Sequence, residues 1–576
     1  MNLQSSVTPV MNINENEEQN TSVLNGVASP PRHNPNKGGW KSAIFIIFVE
    51  MAERFSYYGV AGNLITYLTT GLHEPLATAA KNVNTWVGVS SLFPLLGAFV
   101  ADSYLGRFRT VLISSVIYLA GLILLTVSVT AAVPVGSRAA VFYVALYILA
   151  VGEGGHKPCV QTFAADQFDE DLPEEKKAKS SFFNWWYLGI VIGATTAVLV
   201  VVYVEDYVGW AVGFAMPTAA VMIALVLFLV GIRRYRRQRP VGSPFTRMAQ
   251  VFVAAARKRR VIGTHDEARG LEVKEEAEVR NLARTHQFRF LDKAAIPDDV
   301  DKPSKTRNPW RLCSQTQVEE VKLVLRLVPV WLSCFTFAIA TAQMSTFFTK
   351  QGATLRRSIG HFHHIPPASL QVFAGATILL SVPAYDSLLV PFLRSRVTRH
   401  PSGLSMLQRM GFGMLLSAAT MAVAALVESR RLAVARSHGL LDSPKATVPM
   451  AVWWLVPQYA LCGLSDMFTI VGMQELFYDQ VPEEMRSVGA ALYISTVGVG
   501  NFMSRAVISV VQAATAASPG GKWLGDNLNR AHLDGFYWVL AVMSGVNLCV
   551  FVAVARGFVY KKVAAEKEMD LVRDEV

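Results

Sequence analysis

The sequence predicts an all-α polytopic membrane protein with twelve transmembrane helices in two groups of six. Three observations point there. The chain is 52% hydrophobic and only 17% charged, whereas charged residues approach a quarter of an ordinary soluble protein. Apolar runs of about 17–25 residues, the length that crosses a bilayer, recur about twelve times. Basic residues gather between those runs in the pattern that fixes the cytosolic side of a threaded chain.

The runs fall near 41–70, 83–104, 110–133, 139–163, 181–204 and 208–232, and then near 322–349, 367–393, 405–427, 449–478, 488–514 and 535–558. The residues before the first run are rich in Asn, Ser, Glu and Pro without an apolar core, so they read as a tail and not as a signal peptide. This division gives a disordered cytosolic tail at 1–38, an N-terminal six-helix bundle at 39–232 and a cytosolic linker at 233–320. A C-terminal six-helix bundle follows at 321–558, with a second cytosolic tail at 559–576.

Arg107 and Arg109 lie between spans two and three, Lys176, Lys177 and Lys179 between four and five, and Arg394 and Arg396 between eight and nine. Those loops are expected on the cytosolic side. The linker carries the strongest basic signal, RRYRRQRP (Arg233 to Pro240) and RKRR (Arg257 to Arg260). Within it, Phe245, Met248, Phe252 and Ala256 recur at helical spacing beside Arg247 and Arg257, which predicts an amphipathic helix at the cytosolic surface. The net charge of +11 is explained by this anchoring; without a compact basic domain, no nucleic-acid partner is expected. Cys159, Cys313, Cys334, Cys462 and Cys549 stand singly, offering neither a metal pair nor a disulfide framework.

Within the first run stands FVEMAERFSYYG (Phe48 to Gly59). An ionised side chain at a bilayer centre costs roughly 2.5–3.5 kcal/mol even on the lenient insertion scale, yet Glu50, Glu53 and Arg54 are all present on one side of the helix. That side must face protein or water. Two carboxylates and one guanidinium leave one surplus negative charge, which a proton or a cationic solute can neutralise. The fourth run contains VGEGGHKP, with Glu153, His156 and Lys157, and the tenth contains Asp466 and Glu475. Lys157 and Glu475 are candidate opposite charges lining a central cavity, one from each half.

There is no GxxxxGK[ST] phosphate loop, no HExxH and no GxSxG. Neither ATP-driven pumping nor hydrolysis has a visible engine, so no enzyme activity, cofactor or metal is expected.

GAFVADSYLGRFRT (Gly97 to Thr110) resembles the loop after span two in the major facilitator superfamily, and EMAER (Glu50 to Arg54) resembles the ExxER signature of proton-coupled oligopeptide transporters. GEGGHKPCVQTFAADQFD, FFNWWY, VEEVKLVLRLVPVW, IPPASLQVF, LQRMG and QELFYDQVPEEMRSVG resemble the plant nitrate and peptide transporter branch. The resemblance implies a major facilitator fold, alternating access about a midplane site, and symport of a small solute with protons. It implies proton coupling at Glu50, Glu53 and Arg54, and substrate or coupling roles for Lys157 and Glu475. Asp102, Arg107 and Arg109 are expected at the cytosolic gate, beside Thr110, a candidate for phosphorylation. Protons, a small-molecule substrate and the lipid bilayer are the expected partners, at the plasma membrane or the vacuolar membrane.

Two departures bear on substrate. The peptide-transporting pattern FYxxINxG corresponds to WYLGIVIG (Trp186 to Gly193), and Val191 stands where Asn would supply a donor and an acceptor to a peptide backbone. In span seven a nitrate-binding pattern HAQ corresponds to Thr341, Ala342 and Gln343, so a neutral hydroxyl replaces a group that can become positive. Nitrate held by Arg54 or Lys157 remains open, as does a larger organic solute against Tyr57, Tyr58, Trp186, Tyr187 and Phe502. A di- or tripeptide transporter and a transport-fold receptor that senses a solute are the alternatives.

Overall fold

Helices form at each of the twelve apolar runs. The computed structural model describes residues 37–561, except 170–171, 239–241, 260–284, 286, 298–307, 360–362, 397–403, 483–484 and 518–521. Nearly all of the expected tails, and Arg260 of the basic linker, lie outside the described residues.

The first six spans are Trp40–Thr70, Leu76–Leu105, Arg107–Ser128, Val135–Ala165, a helix covering 173–207 and Trp210–Val230. The second and fifth each include one π-helical turn, at Ala101–Leu105 and Ala197–Val201. Gly106, with φ of 74°, separates spans two and three; this left-handed backbone favours glycine and permits the abrupt turn. The seventh span is broken into Gln315–Ser333, Phe335–Thr341 and Phe347–Ala353, with a 41° bend between the first two. The remaining spans are a helix covering 372–396, then Met406–Ser437, Val456–Asp479, Arg486–Thr515 and Leu533–Arg556. Ser314 with Gln317, and Ser405 with Gln408, form capping boxes that satisfy the free amides where spans seven and nine begin.

By length and hydropathy alone, nine helices among the described residues qualify as membrane spans, ten if the bent seventh counts as one. The two long helices that fall short are Trp40–Thr70 and Val456–Asp479. These are the helices that carry Glu50, Glu53 and Arg54, and Asp466 and Glu475. Polarity that weakens the membrane signal marks the interior of the bundle.

The apolar core shows how the halves meet. At the outer end, away from the basic loops, one continuous cluster takes Leu64, Tyr67, Phe142 and Phe214 from the N-terminal half together with Phe347, Tyr459 and Tyr537 from the C-terminal half. At the inner end there are two separate clusters, one around Phe108, Phe163 and Phe228 and the other around Leu327, Met410 and Leu476. Hydrogen bonds between halves follow the same division: Gln371 to the Gly62 carbonyl (2.9 Å), Ser369 to the Val198 carbonyl (2.9 Å), Lys350 to Thr69 (2.8 Å) and Arg505 to Thr85 (2.6 Å). The two halves are closed against each other at the end away from the basic loops.

The linker helix is Pro244–Arg257. Its buried face is formed by Val251, Ala254 and Ala255 with Phe245 and Met248, packed on the C-terminal inner core. Phe252 and Ala256, expected on the apolar stripe, are exposed. Of the expected stripe, Phe245 and Met248 lie on the buried face, which continues through Val251, Ala254 and Ala255 where the helix packs on the C-terminal half. Lys322, fully buried in span seven, pairs with Asp292 and with Glu319 (2.8 Å), tying a further linker turn to the same half.

Candidate functional site

Glu50, Glu53 and Arg54 meet as their spacing requires. Arg54 Nε lies 2.5 Å from Glu53 and 3.1 Å from Glu50, and all three are largely buried. Gly193 of span five fits against this turn: a Cβ there would stand 2.5 Å from the Met51 carbonyl. The fourth span brings a second charged pair alongside. Lys157 pairs with Glu153, one turn earlier on its own helix, and its Nζ lies 4.3 Å from the centre of the Tyr57 ring. Tyr57 in turn packs on Tyr58 and stacks on Trp86. Close approach of span four depends on its glycines: a Cβ at Gly152 would stand 2.7 Å from the Tyr118 backbone, and one at Gly154 2.6 Å from Phe93.

Three carboxylates, Glu50, Glu53 and Glu153, therefore face two cations, Arg54 and Lys157. If all are ionised, one negative charge is left over. His156 is buried beside them with Nδ1 unpartnered. It shares with Glu53, Ser115 and Tyr118 a small cavity, about large enough for one water. Donor atoms of Glu50, Glu53 and His156 lie within 4.8 Å of one another. That spacing can suit a metal ion, but the guanidinium of Arg54 already bridges both carboxylates.

In the C-terminal half, Asp466 is buried and accepts a hydrogen bond from Thr341 (3.4 Å) at the break in span seven. Glu475 does not meet Lys157. It pairs at 3.5 Å with Arg409 of span nine, a residue of the LQRMG motif, and its side chain is 39% exposed. In this conformation Lys157 and Glu475 each have a partner within their own half. Gln343 is fully buried, donating to the Ile339 carbonyl (2.8 Å) and to Ser504 (3.2 Å), which also receives Asn84 of span two. Phe502 rests against Gly88, where a Cβ would stand 2.9 Å from its ring. In this conformation Gln343 and Phe502 fasten spans two, seven and eleven. Tyr187 is half exposed, whereas Trp186 is buried against Phe182.

At the inner end Arg107 pairs with Asp166 at 2.6 Å and not with Asp102; the Asp102 carbonyl instead accepts the Gly242 amide of the linker (3.3 Å). Arg109 is exposed. Thr110 is buried and its hydroxyl donates to the Gly106 carbonyl, which encloses the expected phosphorylation site within the helix. The residues that charge and motif reading left aside are Asp166 and Arg409. Each lies far in sequence from its partner, so no local spacing announced them.

Spanning helices around a buried, charge-bearing centre, with the two halves meeting at one end, define a polytopic membrane transporter. The chain belongs to the POT family, whose profile matches residues 108–524. It is 55% identical over 535 residues to Protein NRT1/PTR FAMILY 5.4 of Arabidopsis thaliana, covering 91% of this chain and 96% of that protein. Protein NRT1/PTR FAMILY 5.10 of the same plant is 49% identical, with 92% and 95% covered. Among solved structures, an auto-inhibited POT family peptide transporter superposes with a TM-score of 0.70 at 22% identity, covering 91% of this chain and 98% of that one. A POT family transporter in complex with 5-aminolevulinic acid gives 0.59 at 15%, with 90% and 98% covered. These two likenesses bear on the fold.

Proposed function

We propose that the protein is a proton-coupled symporter that moves nitrate or a small organic solute by alternating access, at the plasma membrane or the vacuolar membrane. One observation carries the reading: three carboxylates against two cations in a buried centre leave a single charge for a proton to neutralise. Protonation there changes which pairings are favourable, and so which side is open, as coupling requires. Glu50, Glu53 and Arg54 form the proton-coupling group. Lys157, held by Glu153 and Tyr57, is the cation an anionic substrate would have to draw away. Thr341 and Asp466 present a polar wall opposite, and Tyr57 supplies an aromatic one. Glu475 with Arg409 lies inward of this centre, where charge exchange would accompany opening and closing. Tyr187, Gln343 and Phe502 remain proposed substrate contacts for a conformation in which spans two, seven and eleven have moved.

Peptide transport is the second reading, favoured by family membership and weakened by Val191, which offers no hydrogen bond to a peptide amide. The test is uptake and current in a heterologous membrane at external pH of about 5.5 and about 7.5, with nitrate, a dipeptide and a pool of plant hormones and glycosides. An acid-stimulated inward signal for nitrate or an organic solute supports the first reading, and one for the dipeptide the second. Saturable binding without flux, in protein shown to reach the surface, would favour a receptor.

A further inference from the structure

The outer end of span five carries a second buried acidic group, remote from the centre just described. Glu205 is 2% exposed, and Asp206 beside it is half-buried. One amide serves both: Asn63 Nδ2 donates to Glu205 Oε2 (3.2 Å) and to Asp206 Oδ1 (2.9 Å). The other Glu205 oxygen, Oε1, is buried with no partner, and no cation among the described residues lies within ion-pair distance of the Glu205 carboxylate. Gly213 of span six leaves the space that the Glu205 methylenes fill; a side chain there would collide with them.

This pair of carboxylates lies behind the seam where the halves close. Lys350 and Arg357, both from the C-terminal half, act on Asp206. Lys350 donates to Thr69 across the seam, and Tyr207 donates to the His364 carbonyl (3.0 Å). A carboxylate ionised in such an enclosure, without a cation of its own, is strongly disfavoured, and two adjacent carboxylates sharing one amide do not readily ionise together.

We propose that Glu205, supported by Asn63 and Asp206, is a second proton-binding site, which takes up a proton from the outer side as the halves close there and returns it when they part. Parting removes the Lys350–Thr69 and Tyr207–His364 contacts and admits water to the pair, so the open form binds the proton less tightly. Acid outside therefore favours outer closure, and closure favours proton uptake, by the same factor. The inference rests on the alternating-access reading, but not on which solute is carried.

A cysteine at position 198 reports the seam, because Val198 is buried and its backbone carbonyl accepts from Ser369 of the other half. Its labelling by a membrane-impermeant maleimide is measured from outside at about pH 5.5 and about pH 7.5 in a Glu53→Gln background, which neutralises the inner coupling group, and each rate is divided by that of a cysteine exposed on the outer surface at both pH values, so that the smaller thiolate fraction in acid cancels. The normalised rate is expected to be about fivefold lower in acid, the low end of a typical coupling. Adding Glu205→Gln should make it slow at both pH values, whereas adding Glu205→Asp, which keeps a titratable group, should retain the step. A pH step that survives Glu205→Gln, or no step before it is added, overturns the proposal. Uptake by Glu53→Gln tests the inner centre separately, so either assignment can fail without the other.

Discussion

Lys157 is paired with Glu153 of its own helix, and not with Glu475 of the opposite half. The cation nearest the centre is thus neutralised locally in this conformation. A substrate that binds Lys157 has to compete with a carboxylate one turn away.

Breaking that pair should cost more than deleting it. Glu153 is 1% exposed, so Lys157→Gln alone leaves a carboxylate buried without its partner, a loss of about 3–5 kcal/mol by comparison with other buried pairs. The double variant Glu153→Gln/Lys157→Gln is expected to recover most of the thermal stability in detergent while remaining inactive in uptake. Equal destabilisation by single and double variants would mean the pair is not coupled.

Glu53→Gln should remove the acid stimulation of uptake. With one proton coupled, stimulation can approach about tenfold per pH unit, and the variant should transport equally weakly at both pH values. Uptake that keeps its wild-type pH profile would place the coupling group elsewhere.

The two arginines of the span two to three loop should behave differently. Arg107→Ala strips Asp166 of its partner and should lower stability by about 1 kcal/mol, a value reduced by partial exposure. Arg109→Ala, at an exposed position, should leave the melting temperature unchanged. A melting series on the two variants distinguishes them, and equal effects would count against the Arg107–Asp166 pair.

Gly193→Ala tests the closeness of spans one and five. A methyl group would press on the Met51 carbonyl beside Arg54, and overpacking of this kind typically costs about 1–3 kcal/mol. Uptake should fall more than surface expression does, because the displaced turn carries the coupling charges. Normal uptake with normal expression would show that the helices separate freely.

Much of this was legible in the sequence. Apolar length marked the spans, and the insertion cost of Glu50, Glu53 and Arg54 marked the buried centre, because neither depends on distant partners. The Glu153–Lys157 pair is an i,i+4 spacing readable in the sequence, whereas the partner of Glu475, Arg409, is not. Arg409 stands 66 residues from Glu475, and only folding brings them together. Gln343 and Phe502 read as substrate contacts because polar and aromatic side chains suit both a binding wall and a helix seam. Beyond Met248 the linker stripe was misplaced by one residue, since periodicity locates an apolar face without saying what covers it. The distinction between Val251 and Phe252 belongs to the C-terminal inner core.

The route from one half of the molecule to the other is short. Arg236 is held by Glu175 and Gln167, Arg237 lies over Phe108, and the Gly242 amide is bound to Asp102, all in the N-terminal half. The helix Pro244–Arg257 and the turn Arg289–Ala295 are packed on the C-terminal half. Ownership of the backbone changes hands at Gly242 and Ser243, where Gly242 has φ of 106° and no atom near enough to meet a Cβ. The linker helix travels as cargo on one half, and a rocking stroke bears on the chain around Gly242, between Asp102 and Pro244.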